Sequence, residues 1–466
     1  MSAGLLWIIL PLIFSIVLLL LQSSPKASMV ISAVISTVIM ASVILLKVDH
    51  NYFVGTSIFR IDPVFSILGR NILIENADRV IPAILFALSS IYLWLGVFFD
   101  AEPSYGSFSI AIAALLTAAI FVETRLFFIL FVELAVLLCL PLLVKKKQMK
   151  ERGEHFLLIF VSLSIPLLLL SGWSADIVAA NPIDTIMMER SAIFAILGFS
   201  LLVGVVPFSF WMPQISRESR PVRANFVLSI LPFSFLLLLF TLDKAGGWLR
   251  LDDTVLHWLR VMGYAMIAVG GIWAAFQEDL ERYFAFGLII DNGFAFLSIE
   301  SSFRNGSEAI FLLLTIRLIL FILMTVAFLH LNHQAIDLTI SGIRGKFITY
   351  PFAFILLFFT VFSFNALPLM ANFTIRFGLL QELQSIEPDI NTVLWPLIGQ
   401  VGFFLGALRF LGSAVGTEDH ELSEVGTETW PQRIVFLAGM LVLLLLGFLP
   451  SQMADLVLRI WSGFGT

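Results

Sequence analysis

Leu126–Val144 reads LFFILFVELAVLLCLPLLV, nineteen residues in which Glu133 carries the only charge. As a helix rising about 1.5 Å per residue the run is about 28 Å long, close to the ~30 Å hydrocarbon core of a bilayer. It has no polar stripe at helical spacing of the kind a helix on a water-soluble domain would show. Lys145, Lys146 and Lys147 follow it directly, as expected where a span leaves the membrane. A carboxylate at mid-bilayer depth costs several kcal/mol unless it is paired or faces water. Glu133 therefore marks a membrane span and is also a functional candidate.

Similar runs recur along all 466 residues, and the composition follows them: 59% hydrophobic and 13% charged residues, with a mean hydropathy of +1.00. A water-soluble globule is excluded. An outer-membrane barrel would show alternating ten-residue strands, whereas these runs are continuous, so the sequence predicts an all-α polytopic membrane protein. At roughly 20 residues per crossing, about fourteen spans are expected, centred near Ile13, Thr37, Leu88, Ala114, Glu133, Ser162, Ser200, Phe235, Ile267, Ile290, Ile319, Phe359, Gly402 and Leu443. The first run, Leu5–Leu21, lacks a basic leader and a small-residue cleavage site, so it reads as a retained helix with Met1 as the mature N-terminus. Cys139 is the single cysteine, which excludes a disulfide framework and a cysteine metal site. The net charge of −6 is spread over short loops, with no basic patch for nucleic acid. The aromatic residues suit packing and interface belts facing lipid.

Loop charge orients the chain. Lys145, Lys146, Lys147, Lys150 and Arg152 form the strongest basic segment, which assigns that loop to the cytoplasm. Alternation then puts Lys26, Arg217, Arg220, Arg223, Arg344 and Lys346 on the same side and both termini outside. Lys47, Arg60, Arg70, Arg79, Lys244, Arg250 and Arg260 are left on the exterior. Two spans read as interrupted, one by Pro207 and Pro213 around Trp211, the other by Pro368 and Asn372. Such breaks are either ordinary proline kinks or broken helices facing a cavity, which in two halves of a chain point to inverted repeats.

Four stretches, in order, give the chain a family likeness: FFILFVELAVLLCLP with Glu133; LGFSLLVGVVPFSFWMP from Leu197 to Pro213, with Pro221–Ser229 after it; QEDLERYFAFGLIIDNGFAF from Gln277 to Phe296; and FNALPLMANFTIRF from Phe364 to Phe377. They resemble, respectively, the membrane-glutamate helix, the segment ending in PFHxWLP, the Q-x-D-x-K-R-x-x-A-Y-S-x-I-x-x-x-G-Y signature and the broken helix of the antiporter-like membrane subunits. That family serves NADH:quinone oxidoreductase and the multisubunit Mrp-type cation/proton antiporters. The resemblance spans most of the chain. It implies two inverted five-helix repeats, about 107–242 and 256–415, after N-terminal helices in 1–100 and before a C-terminal helix at 432–450, all in one transmembrane domain. It also implies a proton route at mid-membrane built from a glutamate and a series of lysines.

The residues depart from that route. By motif register the lysines would fall at Leu202, Pro232 and Leu320, and a histidine at Ile316 within LLLTIRLILFIL. The middle of the implied axis is thus apolar. Glu133 and Arg376 remain, joined by Asp291 and Arg317, which the family pattern does not require. These four are the ion-translocation candidates. Asp291 lies nine residues beyond Arg282, roughly 13 Å into its span, and Arg317 lies at similar depth in the next. Opposite charges at like depth point to a buried pair, the alternative being that each faces its own water pocket. Glu133 either exchanges protons or, protonated, hydrogen-bonds a neighbour as structural glue. An arginine cannot relay protons, so Arg376 can act only through its field.

Other features read as structural. His330 and His333 have no carboxylate partner for a metal site, Glu123, Arg125, Glu278, Asp279, Glu281 and Arg282 read as solvated interface anchors, and Glu418–Glu428 as an acidic cytoplasmic loop. No phosphate loop, dinucleotide fingerprint or catalytic motif is present, so no cofactor is expected and any redox chemistry would belong to a partner. The resemblance implies an antiporter-like subunit of a respiratory NADH-dehydrogenase-like or other ion-translocating complex in the cytoplasmic membrane. Its partners would be sister antiporter-like subunits and redox or quinone-binding subunits. With the lysines gone, a non-conducting structural or docking subunit and a stand-alone secondary transporter both stay open.

Overall fold

A computed structural model describes residues 2–20, 25–54, 57–67, 69–99, 103–123, 125–143, 153–180, 185–241, 253–386, 388–416 and 428–462. The lysine-rich loop and residues 418–427 of the acidic segment lie outside the described residues. The helices are α1 (Leu10–Leu20), α2 (Pro25–Leu45), α3 (Val80–Phe99), α4 (Pro103–Phe121), α5 (Arg125–Leu142), α6 (Gly153–Ala180), α7 (Thr185–Val203), α8 (Trp211–Glu218) and α9 (Pro221–Thr241). They continue with α10 (Asp253–Ala275), α11 (Leu280–Asn305), α12 (Ala309–His333), α13 (Pro351–Phe364), α14 (Phe373–Ile386), α15 (Asn391–Val415), α16 (Trp430–Phe448) and α17 (Pro450–Trp461). Among the described residues eleven stretches are long and apolar enough to cross a membrane, and Leu5–Leu20, Phe127–Leu142 and Pro351–Phe364 add shorter apolar helices. The protein is a multi-pass α-helical membrane protein, and every expected span falls on one of these helices.

Pro141, Pro166, Pro232 and Pro396 sit inside helices, which spans tolerate because neighbouring groups take up the freed carbonyls. Both expected interruptions are real breaks. The first lies at Gly204–Phe210, ahead of Trp211 and not around it; Pro213 falls in the first turn of α8, where its missing N–H would have no partner anyway. The second separates α13 from α14, with Ala366 and Leu369 at positive φ. Between α2 and α3 the chain forms two short antiparallel hairpins, Asn51–Val54 with Ser57–Arg60 and Val64–Ile67 with Arg70–Leu73. These four-residue strands are too short to show as apolar runs in the sequence.

The chain divides into two compact units. One comprises Met1–Gly204, Val222–Val255 and Ile460–Thr466. Its helices are joined by buried hydroxyls, among them Ser15 to the carbonyl of Ser107 and Tyr92 to Ser229. The other comprises Val205–Pro221 and Leu256–Arg459 and is built around α11. Every residue from Leu280 to Ser301 except Arg282 is buried there, against α8, α12, α13, α14 and α15. Asp279 caps α11, its carboxylate accepting from the amides of Glu281 and Arg282, and Gly306 ends it with φ +71°. Helix α10 meets α15 through glycines: a Cβ on Gly271 would lie 1.9 Å from the carbonyl oxygen of Gly399.

Candidate functional site

In the second unit the break between α13 and α14 places a charge at the centre of the packed helices. Asp291 of α11 is met by two arginines, Arg317 of α12 and Arg376 of α14. Arg317 Nε donates to Oδ2 and Arg376 Nη2 donates to Oδ1 at 2.8 Å. Exposure is 0% for Asp291 and Arg317 and 1% for Arg376. Arg376 Nη1 donates to the Phe364 carbonyl at 2.7 Å, satisfying a carbonyl freed where α13 ends. Its guanidinium lies over the Phe294 ring, 4.4 Å from the centroid. The pair expected from like depth is thus a triad, completed by the charge on the broken helix. Spacing along the chain could not show this, because Arg376 lies 85 residues from Asp291.

Arg317 and the apolar Leu320 are three residues apart and share one face of α12. Leu202, Pro232, Ile316 and Leu320 are all buried, with no titratable group of their own. Burial of the triad favours ion pairing over separate water pockets, since two desolvated charges in contact offset much of each other's penalty.

Glu133 belongs to the first unit. Ser162 of α6 donates to its Oε1 at 2.8 Å, its Oε2 has no partner among the described residues, and the side chain is half-buried. One hydroxyl is the only described hydrogen-bond donor to this carboxylate.

Two features of α11 differ from what its sequence suggests. Glu300, fully buried, accepts from Arg260 Nη2 and Arg304 Nε, each at 2.7 Å; the i, i+4 spacing of Glu300 and Arg304 was the available signal. At the other end, Asp279 and Glu281 are buried and not solvated. Asp279 is held as a helix cap and by Arg217 Nε at 3.1 Å, while Ser216 donates to the Glu281 carbonyl at 2.7 Å. They fasten α8 to α11. His330 is buried between the rings of Tyr350 and Phe436. No cluster of metal-binding side chains occurs among the described residues.

Comparison with known proteins supports the same architecture. The family described as NADH:quinone oxidoreductase/Mrp antiporter, TM matches residues 123–398, more than half of the chain. NADH-quinone oxidoreductase subunit N of Laribacter hongkongensis is 23% identical over 299 residues, 61% of this chain and 59% of that protein. The subunit N of Nitrosomonas europaea is 24% identical over 51% of this chain and 50% of its own. The alignments thus span about half to three-fifths of these relatives' length. A chain of the Mrp complex from Dietzia sp. superposes with a TM-score of 0.77 at 12% identity, over 99% of this chain and 98% of that one. A chain of respiratory complex I from Thermus thermophilus gives 0.74 at 17% identity, over 99% and 98%.

Proposed function

The chain belongs to the NADH:quinone oxidoreductase/Mrp antiporter transmembrane family, and from that premise we propose that it is an antiporter-like subunit of a larger ion-translocating membrane complex. Within that complex its second unit supplies a fixed electrostatic centre and no lysine relay. The observation that carries this reading is the Asp291–Arg317–Arg376 triad. A relay group must gain and lose a proton near working pH, and guanidinium does not. Arg317 stands one helical turn from Leu320, so a permanent charge takes the neighbourhood of a titratable one. A permanent charge shapes the field felt by ions moving through sister subunits and holds three helices in register.

On this reading the site lies in the cytoplasmic membrane with both termini on the exterior side. The repeats run over about 107–242 and 256–415, and the partners are sister antiporter-like subunits with redox or quinone-binding subunits. Glu133 is the candidate for proton exchange on this reading, being half-buried with one oxygen unpartnered among the described residues.

The test is native extraction of a tagged copy in mild detergent, followed by mass spectrometry of what co-migrates. Recovery with sister antiporter-like or redox subunits is expected. Recovery as a solitary monomer or homodimer would replace this reading with a stand-alone transporter. In the recovered complex, Glu133→Gln should leave assembly intact, and its effect on ion flux divides a conducting subunit from a structural one.

A further inference from the structure

The charges at the α13–α14 break do not cancel. Arg317 and Arg376 contribute two positive charges that no physiological pH removes, and Asp291 one negative charge, all at 1% exposure or less. Both carboxylate oxygens of Asp291 are already engaged, one by each arginine. Arg317 Nη1 and Nη2 and Arg376 Nε are nevertheless buried without a hydrogen-bond partner among the described residues. At the two edges of the same break, Asn372 is buried with both amide atoms, and Asn365 with its Oδ1, unpartnered among the described residues. Helix α14 starts at Phe373, so its positive end opens into the same break.

Water would satisfy the idle N–H groups, but it does not neutralise a net charge. In a low-dielectric interior an unbalanced unit charge costs several kcal/mol even after relaxation. An anion supplies both the missing acceptor and the missing charge. We propose that the break binds a small monovalent inorganic anion of the chloride class as a structural countercharge to Arg317 and Arg376. The donors are guanidinium N–H groups, the Asn372 side-chain amide and the Thr374 and Ile375 amides in the first turn of α14, since the Phe373 and Arg376 amides already donate to the carbonyls of Met370 and Asn372; half-helix N-termini meet anionic groups in transporters in this way. The site stands whether or not the chain conducts.

The experiment is thermal unfolding of the full-length protein, purified without chloride from lysis onward and reconstituted in lipid nanodiscs. Sodium chloride is compared with sodium gluconate at equal ionic strength. Chloride is expected to raise the melting temperature saturably by several degrees, with bromide able to replace it. Asn372→Asp, which fixes a carboxylate at the start of α14, and Arg317→Leu, which removes the surplus charge, should each melt at the same temperature in both salts. Equal melting of the unmodified protein in chloride and gluconate would overturn the proposal. So would a chloride response that persists undiminished in either variant, because the anion would then be acting elsewhere. If one variant fails to fold, the other and the salt comparison on the unmodified protein still decide.

Discussion

Asp291 and Arg317 are not equivalent partners, although each carries one buried charge. Asp291→Leu leaves two cations facing each other without a carboxylate, and should lower stability by about 3–5 kcal/mol, the range for breaking a buried ion pair. Arg317→Leu leaves a one-to-one pair between Asp291 and Arg376 and should cost clearly less. Melting of the two purified variants in one detergent checks this; equal losses would contradict a triad. Glu133 calls for the opposite outcome. Glutamine keeps the acceptor that Ser162 uses, so Glu133→Gln should melt within about 0.5 kcal/mol of the unmodified protein, and Ser162→Ala should cost about 0.6 kcal/mol, the usual value for a hydrogen bond between membrane helices. The charged residues themselves were readable in the sequence, because a charge in an apolar run stands out. Their pairing was readable only where two adjacent helices placed charges at one depth.

Glycine decides how closely α10 and α15 approach. Gly271→Leu would put side-chain carbon where the Gly399 backbone now lies, and overpacking of this kind costs about 1–3 kcal/mol or more. Gly378, within α14, has nothing within 4 Å of its missing Cβ. Gly378→Ala should therefore be stabilising by about 0.5–1 kcal/mol through helix propensity alone. Opposite shifts in melting temperature for the two variants would confirm that contact, and not residue type, governs each position. Helix α13 shows a different long-range dependence. Glu428, 75 residues from Ala353, accepts from the Ala353 amide at 3.0 Å and from Phe352 at 3.3 Å. Glu428→Ala should cost about 0.5–2 kcal/mol and speed hydrogen exchange in the first turn of α13. The sequence marked Glu428 only as the end of an acidic loop, since a cap supplied from another segment leaves no local signature.

For the whole molecule, the orientation inferred from loop charge is open to direct labelling. Cys139 is buried, so a Cys139→Ala background accepts single reporters. A cysteine placed by Asn51→Cys should react with an impermeant maleimide on intact cells, and one placed by Ser341→Cys only after permeabilisation. The reverse pattern would invert the orientation.

The membrane class, the position of each expected span and the presence of two breaks were determined by the sequence itself, whereas the exact place of the first break was not. Hydrocarbon forces each span to satisfy its own backbone over a fixed thickness, so length, apolarity and proline position suffice to locate it. The family likeness followed from motifs in order. Only the tertiary structure could decide that Arg376 closes a triad on Asp291, that Glu300 is clamped by Arg260 and Arg304, and that Asp279 and Glu281 are buried. Those outcomes depend on which helices are neighbours and how each is rotated. Lipid-facing and protein-facing surfaces are equally apolar, so the pattern along a single span does not record its rotation.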